Sequence, residues 1–246
     1  MSTFGVSRRS VTVGLGAAAA GLAALRAPAL AQAKSTLKFG HLANEDSVWH
    51  KASLKFAEEV GRRTNGIIEV KVFPNEQLGK EADLIKGIQH GTVDFTITGE
   101  TLQNWAPAAA LLAVPYEIRD LEHLDLIAGG PIGEKIGRAI EEKTQLLTLT
   151  YFARGPRELT SNRPIRSPVD VDGLKMRVPN VPIFMKMWEA LGARPVPMAF
   201  SDIFVALQSQ TIEAQENPLA LIKSGSFFSV QKYVNLTDHV HSWIYL

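Results

Sequence analysis

The stretch T-N-G-I-I-E-V-K-V-F-P-N, Thr64 to Asn75, decides the fold class of this chain. It opens on a Thr-Asn-Gly turn signal, after which three aliphatic residues alternate with Glu69 and Lys71. A period of two is typical of a β-strand with one buried face. The stretch therefore predicts one short strand after a turn.

Helical patterns flank this strand on both sides. Upstream, the segment 44–47 supplies cap residues for a helix with one apolar face, which Gly61 closes. Downstream, apolar residues at helical spacing mark a second helix, which ends at Gly91. Strand patterns at 36–40 and 93–97 complete a β-α-β-α-β order, which predicts a parallel sheet with helices on its faces.

A second α/β region follows a segment rich in proline and arginine at 155–168. Before that segment, the patterns predict helices at 121–127 and 132–143 and a strand at 145–152. After it, they predict strands at 174–178, 194–198 and 212–214, helices at 183–191, 201–208 and 217–224, and a strand that begins at residue 240. Two such regions predict an α/β fold with two lobes and a ligand cleft between them, which hinge motion would close around a small molecule.

The N-terminus carries an export signal. S-R-R-S-V-T-V, Ser7 to Val13, is a twin-arginine pattern, and a Gly/Ala-rich apolar run and the triplet A-Q-A at 31–33 follow it. A small-x-small triplet after such a run is typical of a signal peptidase site. We expect residues 1–33 to be a signal peptide, cleaved after Ala33, and the mature chain to be periplasmic; the alternative is an uncleaved membrane anchor.

The charge balance and the cysteine count exclude several classes of protein. The chain has 26 Lys and Arg against 25 Asp and Glu, and no basic block remains once the signal segment is set aside. Nucleic acid is therefore not an expected partner. The chain has no cysteine, which excludes disulfides, thiolate metal sites and a lipidated cysteine at the cleavage point.

Four residues near the ends of predicted strands are candidates for a ligand site. Arg177 ends the strand at 174–178, and Arg157 follows the strand that ends near residue 152. Asn217 opens a predicted helix, and Phe200 precedes another. Ligands of α/β proteins bind at the carboxyl ends of strands, where an arginine fork can take a carboxylate and an aromatic face can cover apolar atoms. The alternatives are a surface arginine on an edge strand, a helix cap for Asn217 and a core position for Phe200.

No catalytic or metal-binding motif accompanies these residues. The sequence lacks G-x-S-x-G, H-E-x-x-H and the phosphate-binding G-x-x-x-x-G-K-[ST]. His239 and His241 could face one side of a strand, but no carboxylate pattern accompanies them to complete a metal site. We therefore expect a protein without cofactor, metal or enzymatic activity.

Several longer motifs resemble a known family. They are T-N-G-I-I-E-V-K-V-F-P-N-E-Q-L-G, G-P-R-E-L-T-S-N-R-P-I, G-L-K-M-R-V-P-N, L-G-A-R-P-V-P-M-A-F-S-D-I-F-V-A-L-Q and A-Q-E-N-P-L-A-L-I. In this order they are similar to the substrate-binding proteins of tripartite ATP-independent periplasmic (TRAP) transporters, over residues 37–246.

The resemblance implies a two-lobed periplasmic protein that captures a small organic acid and delivers it to the membrane subunits of a TRAP permease. The oligomeric state is open, with a monomer as the default expectation. It also implies that Arg177 grips the ligand carboxylate, that Arg157 and Asn217 support the same group, and that Phe200 lines the pocket. The alternatives are an extracytoplasmic sensor that reports to a membrane receptor and a periplasmic enzyme acting on small acids.

Some positions depart from the family pattern. Phe204 replaces an expected tyrosine. Leu42 and Gly99 stand where members that bind sialic acid carry a polar residue and an acid, although Glu100 is next to Gly99. On this basis we expect a smaller or more apolar acid rather than a polyhydroxylated sugar acid.

The resemblance also predicts the division of the chain. Lobe I is expected at 34–153, lobe II at 154–239, and the start of a strand that returns to lobe I at 240–246. Family members continue beyond the position that matches Leu246, so we expect a chain truncated at its C-terminus.

Overall fold

The computed structural model describes residues 34–246, so the predicted signal peptide and its cleavage site after Ala33 lie outside the described residues. The strands of this part are β1 (Ser35–Gly40), β2 (Ile68–Phe73), β3 (Phe95–Thr96), β4 (Tyr151–Ser161), β5 (Lys175–Val178), β6 (Arg194–Pro197), β7 (Ala214–Pro218) and β8 (Tyr233–Tyr245). Its α-helices are α1 (Val48–Arg63), α2 (Glu81–Gln89), α3 (Leu121–Ala128), α4 (Pro131–Thr144), α5 (Pro182–Ala190), α6 (Ile203–Gln208) and α7 (Leu219–Ser224).

The first sheet has the predicted parallel topology. Its strand order is β2-β1-β3, and β1 pairs in parallel with both neighbours. The helix α1 begins where the sequence predicts, because the Ser47 side chain accepts a hydrogen bond from the backbone N–H of His50. The β-α-β-α-β order predicted from the stretch around Thr64 is thus confirmed.

The second sheet has the order β6-β5-β7-β4-β8 and is mixed. The strand β5 lies parallel to β6 and β7, whereas β4 runs antiparallel to β7 and β8. An isolated bridge between Thr98 and Tyr245 connects the end of β8 to the segment that follows β3. Segments that follow β3 and the ends of β5 and β7 can therefore contribute to one site.

The strand predicted at 145–152 is wrong in its bounds. β4 begins at Tyr151 and continues to Ser161, through the proline-rich segment that we expected to be irregular. Pro156 is tolerated because the register of β4 against β8 shifts between Arg154 and Arg157, so no ladder hydrogen bond is required there. Leu146, which suggested a strand, is instead buried in a core cluster outside any strand.

The strand predicted at 212–214 is also wrong in its bounds. β7 spans Ala214–Pro218, and α7 begins only at Leu219. All five residues of β7 are buried although three of them are polar, and polar residues of this kind suggested a helix start rather than a strand. Asn217 is consequently a strand residue and not a helix cap.

The core depends on the long strand β8, which was predicted only from residue 240. Near its end, Trp243 and Ile244 are fully buried and belong to two different core clusters. β4 and β8 run without interruption through the positions predicted as lobe boundaries, 153/154 and 239/240, and the boundaries themselves remain a prediction. Among the helices of residues 34–246, none combines the length and the apolar character needed to cross a bilayer.

A pair of glycines in α4 tests the packing between α3 and α4. A Cβ at Gly133 would lie 2.1 Å from the backbone oxygen of Ala128, whereas a Cβ at Gly137 would come no closer than 3.9 Å to the Tyr245 hydroxyl. Gly133→Ala should lower the free energy of unfolding by about 1–3 kcal/mol through overpacking. Gly137→Ala, the matched control, should raise it by about 0.5–1 kcal/mol, because alanine is the better helix former. Urea unfolding of both variants measures the difference; equal effects would contradict this packing.

Candidate functional site

A cavity of about 370 Å³ lies where the two sheets approach each other. Residues of α1, α2 and the segments that follow the strands of the first sheet line one side, and residues at or just after the ends of β5, β6 and β7 line the other. The structure brings all four residues singled out from the sequence to this cavity: Arg157, Arg177, Phe200 and Asn217. The volume is in the range of sites that enclose small molecules.

Arg177 lies near the carboxyl end of β5 and is only 4% exposed. Its neighbours along the strand, Met176 and Val178, are fully buried, so the strand fixes the position of the arginine backbone. Its Nε donates to the carbonyl oxygen of Met198 at 2.9 Å, and the guanidinium makes no ion pair with any residue of 34–246. The surface-arginine alternative is therefore wrong: Arg177 is a buried cation without a counter-ion.

The electrostatics of Arg177 follow from this burial. Loss of hydration, opposed by the Glu216 charge and reinforced by the Arg157 charge, lowers the pKa of Arg177 to about 10. The group is still a cation at neutral pH. A ligand carboxylate would supply the charge partner that the protein does not.

Arg157 is also buried, but its charge is satisfied by the protein. It lies within β4 rather than after a strand, because β4 is longer than predicted. Its Nη2 donates to Glu216 Oε1 at 2.8 Å and its Nε to the other Glu216 oxygen, while Nη1 donates to Glu100 Oε1 at 3.1 Å. Burial opposes its charge, but these carboxylates raise the pKa of Arg157 above its ordinary value. Its five N–H groups leave little to offer a ligand.

Glu216 anchors a buried polar network behind the cavity. Burial works against its charge, but Arg157 and His239 together hold the pKa of Glu216 at about 2. His239 Nε2 lies 3.0 Å from Glu216 Oε2, so this histidine belongs to the network rather than to a metal site. Within the described residues, no group of three His, Asp or Glu side chains could hold a metal ion.

Asn217 and Phe200 complete the predicted set. Asn217 is buried in β7, where its Nδ2 donates to Gln215 Oε1 at 2.6 Å, so a protein contact orients the amide. Phe200 lies in a short 3-10 turn before α6 and packs against Phe227 with ring centroids 5.6 Å apart. Phe200 is therefore a partly buried packing residue that also lines the cavity.

Five charged residues at the cavity were not selected from the sequence: Glu76, Lys80, Glu81, Glu100 and Arg154. Glu81 begins α2, and Glu100 begins the turn that follows β3. A sequence signal existed, since both acids stand next to predicted strand or helix ends on the side where α/β proteins bind ligands. Glu81 accepts hydrogen bonds from Thr98 at 2.8 Å and Thr101 at 2.9 Å. Burial, and secondly the charge of Glu100, raise the pKa of Glu81 to about 6.

Sequence comparisons identify a family and relatives to which this chain is similar. The sequence pattern of the family described as bacterial extracellular solute-binding protein, family 7, matches residues 39–246. The 2,3-diketo-L-gulonate-binding periplasmic protein of Escherichia coli is 36% identical over 95% of this chain and 70% of that protein.

Two solved structures are similar in sequence and fold. One is a TRAP periplasmic solute-binding protein from Roseobacter denitrificans with bound L-galactonate, 63% identical, with a TM-score of 0.85 over 87% of this chain and 71% of that one. The other is a TRAP periplasmic solute-binding protein from Haemophilus influenzae with bound L-gulonate, 33% identical, with a TM-score of 0.81 over 86% and 70% of the two chains. The likeness confirms the α/β fold class of a two-lobed periplasmic binding protein.

The contrast between the two arginines predicts opposite effects on stability. Arg157→Met should lower the free energy of unfolding by about 3–5 kcal/mol, because it leaves Glu216 buried without its cation. Arg177→Met should leave the ligand-free protein as stable as the wild type or more stable, because it removes an unpaired buried charge. Equilibrium urea unfolding of both variants, each without ligand, measures the contrast.

The control for this contrast is the double variant Arg157→Met/Glu216→Gln. It should recover part of the stability that Arg157→Met loses, because it also removes the orphaned carboxylate. Equal losses for Arg157→Met and Arg177→Met would contradict the assignment of Arg177 as the unpaired group.

Proposed function

Because the chain belongs to family 7 of the bacterial extracellular solute-binding proteins, the binding proteins of TRAP transporters, we propose that it captures a sugar acid of the aldonate class, with L-galactonate as the best candidate. The family consists of solute-binding proteins and not of enzymes, so the site is interpreted as a receptor that releases its ligand unchanged.

The observation that carries the proposal is the unpaired guanidinium of Arg177 on the cavity. The Met198 carbonyl accepts a hydrogen bond only from the Nε–H of Arg177, which leaves the N–H groups of both terminal nitrogens of Arg177 for a ligand. Two parallel N–H···O bonds to a carboxylate would match the planar shape of both groups. Because the site is already desolvated, these charge-assisted bonds would be stronger than at an exposed arginine.

The other predicted residues support this role in different ways. Asn217 presents an amide that Gln215 orients, and Phe200 offers an apolar face beside the carboxylate. Arg157 contributes mainly by holding Glu216 and Asn217 in place, since its donors are largely occupied. We propose that Arg177, Asn217 and Phe200 contact the ligand directly and that Arg157 acts chiefly as a positioning residue.

An aldonate differs from the smaller or more apolar acid expected from the sequence. That expectation rested on Leu42 and Gly99, which are indeed on the cavity. However, the same cavity is also lined by Glu81, Glu100 and Arg154, which provide a polar wall for hydroxyl groups. The relative with 63% identity contains L-galactonate, an acid with a hydroxyl on each remaining carbon.

We further propose that the chain is exported by the twin-arginine route, that it is cleaved after Ala33, and that it delivers its ligand to the membrane subunits of a TRAP permease. The twin-arginine pattern at residues 7–13 supports the first step. The periplasmic relatives support the location, and family membership supports the permease as partner.

Titration calorimetry with L-galactonate tests the role of Arg177. Arg177→Lys should weaken binding by at least about tenfold, because a point charge replaces a fork that makes two charge-assisted bonds of about 1.5–3 kcal/mol each. Arg194→Lys is the matched control, since Arg194 is exposed on the neighbouring strand β6 and outside the cavity. The neutral amide of the acid should not bind the wild type. Unchanged affinity in Arg177→Lys would refute this role.

A further inference from the structure

The charged groups of the cavity are almost completely paired. Seven charged side chains line it in the described part of the chain: Glu76, Lys80, Glu81, Glu100, Arg154, Arg157 and Arg177. Lys80 pairs with Glu76 at 3.3 Å and with Asp202 at 3.0 Å. Arg154 pairs with Glu100, and Arg157 with Glu100 and Glu216.

Two groups in this set have no ion-pair partner within residues 34–246. One is the cation Arg177, which the proposed function assigns to the ligand carboxylate. The other is the acid Glu81, whose only side-chain partners are the hydroxyl groups of Thr98 and Thr101. Arg177 belongs to the second sheet, whereas Glu81 begins α2 beside the first sheet, so the two unpaired charges come from different sides of the cavity.

Glu81 and Glu100 both present carboxylate oxygens with unused acceptor capacity. Each carboxylate oxygen of Glu81 accepts one threonine hydroxyl and keeps a second lone pair. Glu100 receives Arg154 and Arg157 on Oε1, while its Oε2 is buried without a hydrogen-bond partner in the described chain. An unsatisfied buried oxygen of this kind is costly unless a ligand donates to it.

We propose that Glu81 and Glu100 restrict the ligand to acids with a single carboxylate, by accepting hydrogen bonds from hydroxyl groups at the far end of the ligand and by repelling a second carboxylate there. This inference rests on the proposed function, since it needs the first carboxylate to be held by Arg177. A second carboxylate next to Glu81 would find every cation on that side already paired with an acid. Juxtaposed like charges are a strong source of discrimination in desolvated sites.

The raised pKa of Glu81, about 6, sets the conditions of the test. Burial and the charge of Glu100 raise it, and Arg154, Thr98 and Thr101 act against that rise. At pH 8 the carboxyl group is ionised, so the repulsion operates in full.

Galactarate is the matched diacid, because it differs from L-galactonate only by a carboxylate in place of the terminal hydroxymethyl group. In titration calorimetry at pH 8, the wild type should bind L-galactonate and should bind galactarate at least about 30-fold more weakly. Glu81→Gln should narrow the ratio between the two acids to less than about fivefold, mainly by improving the binding of galactarate. The control Glu122→Gln, at an exposed position of α3 outside the cavity, should leave the ratio unchanged.

The outcomes separate this inference from the proposed function. Binding of L-galactonate without discrimination against galactarate would overturn the inference and leave the proposed function intact. If Glu81→Gln changes the affinities for L-galactonate and galactarate by the same factor, the inference is also overturned and the proposed function is left intact. Far-UV circular dichroism would confirm that the variant is folded. The ratio of the wild-type affinities for L-galactonate and galactarate is a second readout, and it does not depend on the folding of any variant. If the wild type binds neither acid, both the proposed function and this inference fail.

Discussion

A buried guanidinium without a counter-ion is the constraint on which this structure depends. Arg177 is 4% exposed, and its one side-chain hydrogen bond goes to the backbone of Met198. Burial lowers its pKa to about 10, which expresses the cost of holding that charge away from water. A ligand carboxylate bound to Arg177, as proposed, would remove this cost and would thereby link ligand binding to the stability of the folded state. The paired strands on both sides of β5 keep the group in place before the ligand arrives.

The neighbouring network explains why Arg177 stays unpaired. Glu216 lies in the same sheet and its charge raises the pKa of Arg177, but Arg157 and His239 already occupy its two oxygens. The short strand β7 carries Glu216 and Asn217 side by side, so it fixes both the acid that satisfies Arg157 and the amide that faces the cavity. The unpaired Arg177 at the cavity and the paired Arg157 behind it thus both follow from the same arrangement of strands.

The sequence was sufficient for the order of elements and for the position of Arg177. Periodicity predicted β1 to β3 and their parallel pairing, because a half-buried strand leaves a period of two in the sequence. It failed at β7, because a strand whose polar side chains are satisfied by β4 and β8 has no apolar pattern. Sequence patterns also could not predict that Arg157 is paired and that Glu81 is unpaired. The partner of a charged residue can come from a distant segment of the chain, as Glu216 does for Arg157. Resemblance to a family identified the residues on the cavity, but not which of their charges the protein itself neutralises.

A crystal structure of the protein with L-galactonate tests the central claim most directly. The ligand carboxylate is expected to lie within hydrogen-bonding distance of both terminal nitrogens of Arg177, with Arg157 still paired to Glu216 and the ligand hydroxyls directed toward Glu81 and Glu100. A ligand whose carboxylate contacts Lys80 or Arg154 instead, with Arg177 against a hydroxyl or against water, would contradict this claim.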